Sequence, residues 1–173
     1  MEILFHSVAI VLALTANAFT QPVRPASQAG AAVVTGTPQF EDFPAVASPP
    51  TRNAPLILTP RDRQYRTRLR AAAERPNFAG HYVLTTWGCG TECLYGAAVN
   101  LRTGWVTFLP FATCCVGEAP NGDERMVAFR PNSALLVVLG MRDGRGSDIG
   151  SHYYRIQGDR LVHLRSVPFH AQR

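Results

Sequence analysis

Four cysteines carry the most versatile chemistry in this sequence, and they lie close together along the chain, at Cys89, Cys93, Cys114 and Cys115. A cysteine thiolate can act as a nucleophile or as a metal ligand, and two cysteines can form a disulfide. Disulfides are typical of exported proteins, because the cytosol keeps thiols reduced. The N-terminal sequence described below predicts export, so we predict two disulfides. A tetrahedral zinc site made by all four thiolates is the alternative, although adjacent cysteines are awkward ligands for one ion.

The pairing of the cysteines is not determined by the sequence, since four cysteines allow three pairings. A bond between the neighbours Cys114 and Cys115 would close a small ring across one peptide unit, which geometry disfavours. We therefore predict that Cys89 and Cys93 each pair with one of Cys114 and Cys115. Each such bond would close a loop of about 20 to 25 residues and stabilise the fold by about 3 kcal/mol.

Histidines and carboxylates are the other candidates for catalysis. A catalytic thiol would need a base such as His81 or His152 within hydrogen-bond distance, but an oxidising compartment would remove the free thiol. The remaining acid–base pair is His81 with Glu92, which defines the alternative function, an envelope enzyme. His81 lies in an apolar strand, where a histidine is more often structural. We therefore favour a protein without catalytic residues, cofactor or bound metal.

The preferred function is that of a small binding or inhibitor-like module that acts through disulfide-linked loops. Aromatic and arginine residues on constrained loops are typical anchors of interfaces. The expected partner is an envelope protein or polymer, and nucleic acid is not expected because an exported protein seldom meets it. The predicted binding surface comprises Trp87, Gly88, Glu92, Trp105, Glu118 and Asp123.

The N-terminal residues predict export to the periplasm or the medium. Residues 1–18 contain a short apolar run followed by Ala16-Asn17-Ala18, the small residues of a signal-peptidase site. The run is too short for a comfortable membrane span, although retention of the segment as an uncleaved anchor is an alternative. Residues 19–38 are rich in proline and alanine and are predicted to be flexible.

The remainder of the chain, residues 39–173, is predicted to be a single domain. With 173 residues, 46% of them hydrophobic, the chain is long enough for one core. It has 17 basic and 12 acidic residues, a formal net charge of +5, which needs no explanation beyond solubility. Two apolar patches at residues 40–44 and 55–58 are predicted to dock on the domain, with one as a candidate edge strand.

Residues 60–75 are predicted to form a helix that packs on the domain. Thr59 as N-cap and Pro60 at the first helical position indicate its start, and Pro76 indicates its end. The apolar face at helical spacing consists of Tyr65, Leu69, Ala72 and Ala73. The arginines on the opposite face need only solvent.

From residue 80 onward the apolar residues alternate with the period of a half-buried strand. We predict about seven strands in meander order, at residues 80–87, 95–101, 105–109, 125–129, 134–141, 151–157 and 160–165. Residues 135–139 are apolar without alternation, which is typical of a central strand buried on both faces. The predicted fold class is therefore α+β, a largely antiparallel sheet with one N-terminal helix packed on it.

Several short motifs of glycine, aromatic and cysteine residues extend through the domain. They are Asn77-Phe78-Ala79-Gly80-His81-Tyr82, Trp87-Gly88-Cys89-Gly90-Thr91-Glu92-Cys93, Thr103-Gly104, Leu109-Pro110 and Cys114-Cys115. Over roughly residues 39–165, this pattern resembles a family of small exported bacterial proteins of unknown function. The resemblance implies export and a domain that begins near residue 39, and it implies no particular activity.

Overall fold

The computed structural model describes residues 36–116, 125–145 and 149–169. Within these ranges the chain forms one short α-helix, α1 (Arg66–Ala72), and eight strands. The strands are β1 (Tyr82–Gly90), β2 (Cys93–Asn100), β3 (Val106–Phe108), β4 (Thr113–Cys114), β5 (Val127–Phe129), β6 (Leu135–Arg142), β7 (Gly150–Gln157) and β8 (Arg160–Pro168). All pairings between these strands are antiparallel. The predicted α+β class, a largely antiparallel sheet with a helix packed on it, is confirmed.

The sheet runs in the order β1-β2-β4-β6-β7-β8, with β3 paired to β2 and β5 paired to β6. The additional strand relative to the prediction is β4, which pairs two residues with β2 and two with β6. A strand of two residues is too short to show an alternating pattern. β4 and β3 pair with the same edge of β2, and β4 and β5 pair with the same edge of β6. The strand order therefore departs from a simple meander.

β6 is the central strand, as the sequence predicts. It has strand neighbours along both of its edges. Its residues also contribute to apolar cores on both faces of the sheet. Leu136 and Val138 pack in the core that contains Phe78, while Leu135 and Val137 pack in a smaller core around Phe43.

The two faces of β1 and β2 contribute to different apolar cores, as the alternation predicts. Tyr82 and Leu84 face the core that they share with β6. Val83 and Trp87 face the opposite core, where Leu69 of α1 is completely buried. The apolar face predicted for the helix therefore covers this side of the sheet.

The helix is shorter than predicted and is not the N-terminal element. A 3₁₀ turn at Phe40–Asp42 precedes it, and α1 itself is preceded by a 3₁₀ segment, Asp62–Tyr65. The Asp62 carboxylate accepts hydrogen bonds from the backbone N–H of Thr59 at 3.0 Å and from its hydroxyl at 2.6 Å. Thr59 thus donates to the first turn, whereas the N-cap role predicted for it would make its side chain an acceptor.

The two apolar patches that precede the helix dock on the domain, as predicted. Phe43 is buried, and the following Pro44 forms a bridge with Ser133. Ile57 forms a parallel bridge with Trp105, and Leu56 and Leu58 pack on the core beneath α1. The backbone at Pro55 approaches Gly104 closely. A Cβ on Gly104 would lie 1.8 Å from the Pro55 carbonyl oxygen, so only glycine fits at this position.

The motif at residues 77–82 forms a tight turn that leads into β1. The Asn77 amide oxygen accepts from the Leu84 N–H at 2.7 Å, and its amide nitrogen donates to the Leu84 carbonyl at 3.0 Å. Phe78 is completely buried. Gly80 has a φ of +78° and lies against the Val46 carbonyl, so the motif has a structural explanation.

The predicted signal peptide and nearly all of the predicted flexible segment fall in residues 1–35, outside the described residues. Among the residues that are described, no helix combines the length and the apolar composition needed to cross a membrane.

Candidate functional site

The cysteines form two disulfides, but their pairing differs from the prediction. Cys89 bonds to Cys93 with a Cα–Cα distance of 5.1 Å, and Cys114 bonds to Cys115 with a Cα–Cα distance of 3.8 Å. The prediction that both disulfides join β1–β2 to the 114–115 segment is therefore wrong. The reason is local: positive φ angles at Gly90 and Glu92 close the β1–β2 loop, and Cys115 has a φ of 58°.

The two disulfides nevertheless lie next to each other. Cys93 at the start of β2 is the Cα partner of Cys114 in β4. Cys89 is exposed, Cys93 and Cys115 are half-buried, and Cys114 is buried. The sequence prediction is thus correct in bringing the two pairs of cysteines to one place.

A cleft of about 650 Å³ lies beside the Cys89–Cys93 disulfide, between the residues that lead into α1 and the sheet. We call it the aromatic cleft. It is lined by Arg61, Asp62, Gln64, Tyr65, Cys89, Tyr95, Phe108, Leu109, Pro110, Phe111, Ala112 and Asp143. The residues before α1 contribute Tyr65 and polar groups to the cleft, and the sheet contributes Tyr95 and Phe108.

Three aromatic rings in the wall of the cleft contact one another. Tyr95 and Phe108 are stacked, with ring centroids 5.8 Å apart and an angle of 17° between the rings. Tyr65 from the helix side lies 5.3 Å from Phe108. Trp87 supports the group from the core, at 5.0 Å from Tyr65. This packing already holds the rings in place, so ligand binding would cost little further conformational entropy.

Polar groups line other parts of the aromatic cleft. The Asp143 carboxylate accepts from the Ala112 N–H at 3.0 Å, and the Asp143 N–H donates to the Ala112 carbonyl at 2.7 Å. The exposed Arg61 adds a positive charge to the lining. Burial, reinforced by the neighbouring Tyr65, raises the pKa of the Tyr95 hydroxyl. Such a mixture of apolar walls and few polar groups is typical of ligand-binding clefts.

The predicted binding surface is only partly assembled. Trp87 is 9% exposed and packs under Tyr65, so it cannot be a surface anchor. Gly88, near the end of β1, and Glu92, in the β1–β2 turn, are exposed next to the aromatic cleft. Trp105 is exposed, but it lies beside Asn100 at the opposite end of β2, roughly 20 Å away at 3.3 Å per residue. The remaining two residues of that surface, Glu118 and Asp123, lie outside the described residues.

His81 and Glu92 lie at opposite ends of β1 and do not share a site. The length of the strand separates them by roughly 25 to 30 Å. His81 is half-buried against the Tyr82 ring, with centroids 4.4 Å apart. Burial, and secondarily the Arg102 charge, lower its pKa, while Asp159 acts in the opposite direction.

A polar cluster around His152 was not predicted from the sequence. His152 is 2% exposed, and its Nε2 donates to the Gly140 carbonyl at 3.1 Å. Its Nδ1 lies 2.9 Å from Ser166 Oγ and 3.2 Å from the Arg142 guanidinium. The alternation of side chains along β7 places His152 on the buried face of the strand. Which residues of β8 it contacts depends on a register shift at Tyr153/Tyr154.

Potential metal ligands do not gather in the part of the chain that the structure describes. Within those ranges, no group of three or more histidine, cysteine or carboxylate residues is arranged to hold a metal ion.

Comparisons with protein-family models, with curated proteins and with solved structures find no match. The resemblance to a family of exported proteins therefore stays a prediction. The function must be argued from the aromatic cleft and its surroundings.

Proposed function

We propose that the protein is an exported binding module that takes up part of an envelope protein or polymer in the aromatic cleft. The observation that carries this proposal is the cleft itself, a cavity of about 650 Å³ with three contacting rings and several polar groups. The predicted signal peptide and the two disulfides support action outside the cytosol. The exposed residues 88–92, at the end of β1 and in the β1–β2 turn, adjoin the cleft and extend the proposed surface.

The arrangement suits a ligand with one flat or apolar face and a polar edge. The Tyr95 and Phe108 rings would contact an aromatic or aliphatic side chain, or the face of a sugar ring. Arg61 and Asp143 supply charges of opposite sign that can orient a polar group. Because Trp87 and the sheet hold the rings in place, binding would require little rearrangement.

Binding is favoured over the alternative, an envelope enzyme that uses His81 and Glu92. An acid–base pair must reach one substrate within hydrogen-bond distance. The separation of His81 from Glu92 along β1 removes that option, and neither residue lines the aromatic cleft.

A charge-reversal pair tests the cleft. Immobilised mature protein is incubated with envelope extract, and the captured component is purified and its affinity measured by calorimetry. Arg61→Glu is expected to weaken that affinity by about tenfold, the effect of losing about 1.4 kcal/mol of interaction. Arg63→Glu is the matched control, because it makes the same charge change on an exposed residue that does not line the cleft.

A fluorescence measurement gives an independent reading of the same site. Trp87 lies 5.0 Å from Tyr65, so a ligand in the cleft should change its emission. The variant Trp105→Phe removes the exposed second tryptophan and leaves Trp87 as the reporter. Equal loss of affinity in the two arginine variants, with no change in Trp87 emission, would refute binding at the cleft.

A further inference from the structure

The register of the sheet places cysteines of the two disulfides opposite each other. Cys93 and Cys114 are direct Cα partners in the antiparallel pairing of β2 with β4. Directly opposed residues have Cα atoms about 4.5 to 5.5 Å apart and side chains on the same face. That separation falls in the range in which a disulfide forms without movement of the backbone. A bond between Cys93 and Cys114 is thus compatible with the same strand pairing.

The two disulfides differ in how far their sulfurs are exposed, because only the first contains an exposed cysteine. Cys89 is exposed near the end of β1, and Cys93 is half-buried. Cys114 is 7% exposed, and Gly144 lies against its sulfur, since a Cβ added to this glycine would be 3.6 Å from Cys114 Sγ. An external thiol therefore reaches Cys89 readily, whereas Cys114 is within reach of Cys93.

Exchange between the two disulfides is also favoured by chain topology. The bond between Cys114 and Cys115 joins adjacent residues and constrains almost none of the unfolded chain. A bond between Cys93 and Cys114 would join β2 to β4 and close a loop that includes β3. Because cross-links that close longer loops stabilise more, the folded protein favours the cross-strand bond once a free thiolate is present at Cys93.

We propose that the four cysteines form a thiol–disulfide exchange site whose substrate is a dithiol, such as a pair of neighbouring cysteines in another protein. A substrate thiolate attacks Cys89 Sγ, and the Cys93 thiolate leaves with the electron pair of the broken bond. The second substrate thiol then attacks the mixed disulfide, which releases Cys89 as a thiol and the substrate as a disulfide. Attack on Cys89 is expected because it is the exposed sulfur.

In the second stage the Cys93 thiolate exchanges with the disulfide between Cys114 and Cys115. The Cys93 thiolate attacks Cys114 Sγ, a bond forms between Cys93 and Cys114, and the Cys115 thiolate leaves and takes a proton. Overall the dithiol loses two electrons and two protons, and the protein gains thiols at Cys89 and Cys115. Cys89 lines the aromatic cleft, but the step between Cys93 and Cys114 does not depend on what the cleft binds.

Two serine variants test the exchange step without any added reductant. Cys89→Ser leaves a free thiol at Cys93, opposite Cys114, whereas the matched control Cys93→Ser leaves a free thiol at Cys89, which is not opposite Cys114. Free thiols are blocked with a maleimide at acidic pH, and the unreduced protein is digested with trypsin. The chain has arginine and no lysine, so Cys89 and Cys93 fall in the peptide 71–102, and Cys114 and Cys115 fall in the peptide 103–125.

The masses of these two peptides, together with fragment masses that place the maleimide, distinguish the outcomes. Cys89→Ser is expected to yield the two peptides joined, with Cys115 blocked, in most molecules, whereas Cys93→Ser yields them separate. Separate peptides from folded Cys89→Ser, or joined peptides from both variants, would overturn the proposal. If Cys89→Ser lacks a cooperative thermal transition, the same digestion is applied to the wild-type protein after treatment with one equivalent of dithiothreitol. Joined peptides with Cys89 and Cys115 blocked support the exchange, and separate peptides overturn it.

Discussion

Replacing Leu136 by alanine tests the central position of β6 and therefore the whole strand order. Leu136 is completely buried and packs in the core that contains Phe78 and Leu84. The substitution removes three carbon atoms, which at about 0.8 kcal/mol each corresponds to about 2.4 kcal/mol of lost transfer free energy. β6 is paired along both of its edges, so its surroundings cannot collapse fully and a cavity adds to this cost. The expected loss in the free energy of unfolding is about 3 to 5 kcal/mol.

Urea unfolding followed by circular dichroism measures this loss, provided that the slope of the transition is unchanged. Leu164→Ala is the matched control, because it removes the same atoms from a residue that is 37% exposed on β8. The control is expected to cost about 1 kcal/mol or less. A cost below about 1 kcal/mol for Leu136→Ala, or equal costs for both variants, would refute the central placement of β6.

Two further predictions concern the end of β1 that is opposite the cysteines. Tyr82→Phe removes a hydroxyl that donates to Asp159 at 2.7 Å and is expected to cost about 1 to 3 kcal/mol in urea unfolding, because a hydrogen bond to a carboxylate is lost. No measurable cost would show that this hydrogen bond is dispensable. The lowered pKa of His81 means that the unfolded chain binds a proton more readily than the folded chain, so stability falls as the pH drops below about 6.5. In His81→Gln this fall should be smaller between pH 7 and pH 5, and an unchanged pH dependence of the melting temperature would contradict the assignment.

The sequence is informative wherever a signal is local. The spacing of Tyr65, Leu69 and Ala72 depends only on the helix period, and these residues pack on the sheet as predicted. The uninterrupted apolar run of β6 can likewise be recognised without knowing which strands pair with it. In both cases the pattern of burial is carried by consecutive residues of one element.

The wrong predictions fall where register or close packing decides the outcome. β4 has two residues, and its position depends on pairing with β2 and β6, which are distant in sequence. The disulfide pairing differs from the prediction because positive φ angles at Glu92 and Cys115 bring sequence neighbours together. Trp87 has the side chain of a typical interface anchor, but the helix covers it.

The aromatic cleft could not be predicted for the same reason. Tyr65, Tyr95 and Phe108 come from three separate elements, and their contact depends on how α1 lies across the sheet. In the sequence each of them appears only as an apolar position of its own helix or strand. The motifs with the strongest sequence signal, such as residues 77–82, form a turn and not a site.

The two-residue strand β4 has a consequence for the order of folding. The β1–β2 hairpin and the β6–β7–β8 hairpins each join neighbouring segments of the chain, and such short-range pairings form within microseconds. Joining the two groups through β4 requires contacts between residues far apart in sequence, which is intrinsically slower. The Tyr82–Asp159 hydrogen bond also connects the two groups. We therefore expect the complete sheet to assemble after the separate hairpins have formed, when β4 meets β6.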